Sequence, residues 1–172
     1  MGSRRPRYLP PRRSPRRSIQ MHAEYLKQDE DVVIIGLAVR IAPEQAARDI
    51  PLLWQRFMQM HLPTLEPTHD VYAVYCEYER DHTGPYTMLL GTRVDAKAPV
   101  PEGLRRVVLP RGAYARFIAR GDPAQALWRT WSHVWNEWER RGERRFAADF
   151  ERYERAALGR DTVEAEVLVG LA

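Results

Sequence analysis

The same order of elements is legible twice along the chain, and few architectures accommodate that. In the first half, about residues 30–96, Val32–Ile41 reads as a strand and Pro43 suits a first helical turn. Residues 44–60 carry Ala47, Ile50, Trp54, Phe57 and Met58 at helical spacing, with Pro51 implying a kink or a split. Residues 71–79 are aromatic-rich and strand-like, Asp81-His-Thr-Gly-Pro85 is a turn, and Tyr86–Val94 returns as a hairpin partner. In the second half, about residues 104–171, residues 106–110 and 113–119 are strand-like, and Gly121-Asp122-Pro123 supplies a turn, an N-cap and a first helical proline. Residues 124–141 predict a helix stopped by Gly142, residues 146–153 a strand, and residues 163–169 a half-buried strand with Val163, Ala165, Val167 and Val169 on one face. The expected fold is therefore α+β: a strand–helix–strand–strand unit duplicated about a pseudo-twofold. It has an antiparallel sheet, two main helices and a ligand groove between the halves.

The halves also match by residue. Gly36-Leu-Ala-Val-Arg-Ile41 corresponds to Gly112-Ala-Tyr-Ala-Arg-Phe117, and Tyr75-Cys-Glu-Tyr-Glu79 to Phe150-Glu-Arg-Tyr-Glu154, with Gly91 and Gly170 closing each unit. This match pairs Cys76 with Glu151 and Tyr78 with Tyr153. Simple alternation then leaves Tyr75 on the opposite face, but a bulge in the hairpin would reverse the faces, so both tyrosines are carried as candidates.

At 172 residues the chain suits one domain, and its 44% apolar and 29% charged composition argues against global disorder. No apolar run is long enough to span a membrane. The formal charge of +4 is misleading. Of 27 Lys and Arg, seven lie in residues 1–18, leaving 20 against 23 Asp and Glu. A mildly acidic body suits nucleic acid poorly and cationic ligands well. Residues 1–20, rich in Arg and Pro, are expected to be disordered. The segment reads as an anion-binding arm or as an extension upstream of a start at Met21, and the second reading is preferred. Residues 21–172 form the domain.

The residues that could carry chemistry are aromatic, with one acid among them. Trp128, Trp131, Trp135 and Trp138 fall on one helical stripe, and Trp54 holds the matching place in the first half. A small core rarely needs four indoles, because each N–H requires a partner, so at least one should line a cavity. Tyr72, Tyr75, Tyr78, Tyr86, Tyr114 and Tyr153 lie in expected strands, where aromatic walls suit planar or cationic ligands. Glu151, between Phe150 and Arg152, would be costly in such a groove unless paired, and a cationic ligand would pair with it. The plain alternative is an exposed glutamate or a partner for Arg144, Arg145 or Arg152. A single cysteine, Cys76, and five scattered histidines give no metal-ligand spacing. Phosphate loops and nucleophile elbows are absent, so no metal or cofactor is expected.

Several segments occur together in an order that resembles a known family. They are Val71-Tyr-Ala-Val-Tyr-Cys-Glu-Tyr-Glu79, Gly84-Pro-Tyr-Thr-Met-Leu-Leu-Gly91, Leu109-Pro-Arg-Gly-Ala-Tyr-Ala-Arg-Phe117, Trp131-Ser-His-Val-Trp135 and Asp149-Phe-Glu-Arg-Tyr153. Over about residues 30–171 the chain resembles the GyrI-like, or AraC-type, effector-binding domains, and within them the stand-alone integron-cassette proteins. The resemblance implies a groove for small, often cationic and lipophilic molecules, with Glu151 as the central contact. It implies ligand walls from Tyr75, Tyr78, Tyr86, Trp131, Trp135, Tyr153, Tyr114 and Phe150, and a cytoplasmic place in transcription regulation. The only segment outside the likeness is the arginine-proline tail, so direct promoter binding by this chain is not expected. Two other readings stay open: a hydrolase of strained small molecules using Glu151 with Tyr114 or Tyr153, and a gyrase-inhibitor-like module that binds a protein partner.

Overall fold

The computed structural model describes residues 21–66 and 68–172, and the expectations for residues 1–20 lie outside the described residues. Eight antiparallel strands form one sheet: β1 (Glu24–Gln28), β2 (Val32–Ile41), β3 (Val71–Cys76), β4 (Tyr86–Val94), β5 (Arg105–Leu109), β6 (Gly112–Gly121), β7 (Ala148–Tyr153) and β8 (Val163–Gly170). Two helices, α1 (Ala46–Arg56) and α2 (Pro123–Asn136), follow β2 and β6. The sheet order is β1-β6-β8-β7-β3-β4-β2-β5. Exchanging β2, β3 and β4 with β6, β7 and β8 reverses the six central strands onto themselves, so the duplication is real and its pseudo-twofold passes between β3 and β7. The sheet curls into a half-barrel. The Gln28 side chain at the end of β1 donates to the Leu109 carbonyl of β5 (3.0 Å), linking the two edge strands.

Alternation decides which face each side chain takes. Val163, Ala165, Val167 and Val169 join Phe117, Ala119, Val71 and Ala73 in the core under the helices. Tyr72, Val74, Cys76, Tyr114, Phe150 and Leu168 fill the second core on the other face. Gly36 and Gly91 lie opposite each other where β2 and β4 pair. A Cβ on Gly36 would stand 2.0 Å from the Leu90 carbonyl oxygen, so only glycine permits this contact.

Some expected boundaries moved. The first helix begins as a 3-10 turn at Pro43–Gln45, runs through Pro51, then loosens into a π-helical turn at Phe57–His61. At α2 the N-cap is as expected: Asp122 Oδ1 accepts from the Gln125 N–H (3.0 Å) with Pro123 behind it. The helix ends at Asn136 rather than residue 141. The N–H groups of Glu137 and Trp138 both turn onto the His133 carbonyl (2.9 Å each), and Trp138 swings into the core edge-on to Phe117. The strand expected over residues 71–79 stops at Cys76 because Glu77 adopts a left-handed conformation (φ 52°). Phe146, also left-handed, delays the start of β7 to Ala148. Strand β1 had no counterpart in the sequence reading.

Candidate functional site

A cavity of about 690 Å³ opens where the two units meet, lined by both helices and by β3, β4 and β7. Ala47, Ile50 and Trp54 line it from α1, and Leu127, Trp131 and Trp135 from α2. Tyr75 meets Trp131 edge-on (5.3 Å between ring centroids), Trp131 stacks with Trp135 (6.0 Å), and Tyr86 leans on Tyr75 (5.9 Å) and Tyr78 (5.8 Å). Trp128 stands edge-on to Trp135 and is 64% exposed, the most open of the lining indoles.

Glu151 lies within this aromatic wall and is 2% exposed. The Trp131 Nε1–H donates to its Oε1 at 2.6 Å and the Tyr75 hydroxyl to the same oxygen at 2.9 Å, while the Tyr153 hydroxyl donates to Oε2. Among the described residues no cation pairs with it. Burial pushes the carboxyl above its ordinary range, and the three donated hydrogen bonds pull it back. Burial, and after it the neighbouring Glu151, drives the Tyr75 and Tyr153 hydroxyls well above the usual phenol value, so they remain donors. Three neutral donors orient the carboxylate without neutralising it. The arrangement is a hydrogen-bonded carboxyl group without a cationic partner among the described residues, set in a ring-lined hollow.

A second carboxylate, Asp149, lies fully buried two residues earlier. The Arg144 guanidinium donates to its Oδ2 (2.6 Å), the Tyr78 hydroxyl to the same atom (3.0 Å), and the Gly170 N–H to Oδ1 (2.9 Å). It is thus compensated, unlike Glu151. The Tyr78 ring reaches the cavity because of the left-handed Glu77. Glu77 is itself held by the Arg105 guanidinium (2.7 Å), the Thr87 hydroxyl (2.5 Å) and the Arg40 guanidinium on its carbonyl (2.6 Å).

Comparison with known proteins agrees with this architecture. The sequence pattern of Cass2, the integron-associated effector binding protein, matches residues 25–169. The chain belongs to that family. It is similar to YobU of Bacillus subtilis (strain 168), named as a candidate transcriptional regulator protein, with 30% identity over 129 residues, covering 72% of this chain and 80% of that protein. It shares its fold with the integron cassette protein VCH_CASS2 from the mobile metagenome of Vibrio cholerae (22% identity, TM-score 0.71, 87% of this chain and 95% of that one). SAV2435, solved bound to tetraphenylphosphonium, has the same fold at 15% identity (TM-score 0.72, 88% and 94%).

In this Cass2-family chain the expected site residues divide into three groups. Glu151, Tyr75, Tyr78, Tyr86, Trp131 and Trp135 all line the cavity. Tyr153 stands behind Glu151 as its hydrogen-bond donor, with Trp54 edge-on to its ring (5.3 Å). Tyr114 and Phe150 do not belong to the site. Both pack in the second core on the opposite face, and the Tyr114 hydroxyl donates to the Pro110 carbonyl (2.7 Å). A hydrolytic pairing of Glu151 with Tyr114 therefore has no geometry here. The residue match between halves also slips by one. Ala73 pairs with Glu151, so Tyr75 shares the Glu151 face, while Cys76 faces the other way with Phe150. Trp138 is 1% exposed in the core and lines nothing. The sequence reading missed His82, whose ring lies flat on Trp135 (5.3 Å), and the compensated Asp149. Asp149 was open to detection, because it lies two residues from Glu151 in a strand and so shares its face.

Proposed function

We propose that this protein is an effector-binding module that takes a small, lipophilic organic cation into the aromatic cavity, with Glu151 as counter-charge. The observation that carries the reading is a carboxylate, buried and hydrogen-bonded yet without a cationic partner among the described residues, facing a cavity walled by indole and phenol rings. Ligand entry buries apolar surface, and the charge of the ligand supplies the missing compensation. Membership of the effector-binding family and the tetraphenylphosphonium bound to SAV2435 support the same class of ligand. The name of YobU supports a regulatory setting, in which ligand occupancy is the signal.

The test is a tryptophan-fluorescence titration with tetraphenylphosphonium, since Trp131 and Trp135 line the cavity. A dissociation constant in the micromolar range, about −8 kcal/mol, is expected. Glu151→Gln should weaken it at least tenfold, about 1.4 kcal/mol. A neutral hydrocarbon of similar size should discriminate little between the two proteins. Equal affinity of wild type and Glu151→Gln for the cation would remove Glu151 from the account.

A further inference from the structure

We propose that, among organic cations, the cavity selects those carrying a neutral hydrogen-bond acceptor beside the charge, and that Tyr86 is the residue that recognises it. The inference rests on the cation reading and refines its ligand class. It follows from which polar groups of the cavity are already engaged. The Tyr75 and Tyr153 hydroxyls and the Trp131 N–H all donate to Glu151, and the Tyr78 hydroxyl donates to Asp149. The Tyr86 hydroxyl has no hydrogen bond to any described residue. Its ring is held between those of Tyr75 and Tyr78, so its direction is set before a ligand arrives. Burial and the nearby charge of Glu151 push this phenol up to about 12, which keeps its proton available for donation.

His82 lines the same wall, but its unpartnered nitrogen is covered. Its ring lies parallel to Trp135 within 3°, which fixes the plane of the imidazole at the cavity wall. Its Nδ1 is buried without a partner among the described residues. An atom so covered is out of reach of a molecule in the cavity. Burial and the neighbouring Arg144 hold the imidazole below its ordinary value, against the opposing pull of Asp81 and Asp149. His82 therefore meets a ligand as a neutral ring and adds no competing positive charge. A hydrocarbon cation satisfies Glu151 alone. A cation with an ether or carbonyl oxygen also satisfies Tyr86.

The experiment uses two cations of one shape: n-butyltriphenylphosphonium and (2-methoxyethyl)triphenylphosphonium, in which an ether oxygen replaces one methylene. Affinities of both are measured by fluorescence for the full chain and for Tyr86→Phe, which keeps the ring and removes the hydroxyl. The ratio of ether-cation to alkyl-cation affinity is expected to fall at least fivefold in Tyr86→Phe. An unaltered preference in Tyr86→Phe overturns the proposal. If neither cation binds, or both bind Glu151→Gln as well as wild type, it is the cation reading that fails.

Discussion

At the scale of single residues, Glu151 sets function against stability. A carboxylate buried without a counter-ion is unfavourable in the empty protein, and an isosteric amide removes that penalty. Glu151→Gln should therefore stabilise the ligand-free fold by about 1–2 kcal/mol at pH 8, a rise of roughly 3–6 °C in Tm, while it weakens cation binding. The sign with pH follows from the raised folded-state value. The favourable contribution of Glu151 is fully present below the unfolded value near 4.5 and is lost as pH rises through the folded one. Thermal unfolding of both proteins from pH 4.5 to 8 should show the advantage of the variant growing with pH, and a constant difference would contradict it. A second prediction concerns the donors. Removing the Tyr75 or Tyr153 hydroxyl takes away a hydrogen bond that favours the charged form. In Tyr75→Phe or Tyr153→Phe the pH at which cation affinity falls to half should move upward, as a titration at stepped pH would show. That Glu151 lies among aromatic side chains was legible from its strand neighbours, whereas its expected role as central contact came from the family resemblance and not from spacing. The placing of Tyr114 and Phe150 was not legible. It depends on strand parity, and parity depends on where the left-handed residues Glu77 and Phe146 interrupt alternation.

At the scale of elements, the beginnings were readable and the ends were not. Asp122 and Pro123 announce α2 through local chemistry, and Asp122→Ala should cost about 1 kcal/mol, roughly 2–4 °C in Tm. The end of α2 is decided by tertiary packing. A continued helix would bring Trp138 round to the stripe of Trp131, whereas ending at Asn136 lets it pack on Phe117. Likewise β1 is a short, polar strand whose place depends on pairing with β6, which no local pattern announces. The β2–β4 contact permits a sharper test. Gly36→Ala puts a methyl group against backbone that side-chain movement cannot relieve, so a loss of ~3 kcal/mol or more is expected from chemical denaturation. A loss under 1 kcal/mol would mean that the two strands do not approach as closely as described.

At the scale of the whole molecule, duplication creates the groove and departure from symmetry gives it an acid. The two units contribute equivalent helices and strands, but among the described residues Glu151 is left without a cationic partner, whereas Arg144 pairs with Asp149. The recurrence of strand–helix–strand–strand was visible in the sequence because it needs only element order. The one-residue slip in the match was invisible, because element order does not fix register. The account predicts that tetraphenylphosphonium raises the Tm of wild type in a concentration-dependent way, by about 2.7 kcal/mol of stabilisation at one hundred times its dissociation constant. The most direct test of the central claim is the affinity of tetraphenylphosphonium for wild type and Glu151→Gln, measured side by side at pH 8. Micromolar binding that weakens at least tenfold in the variant is the predicted result, and binding of equal strength to both proteins would contradict it.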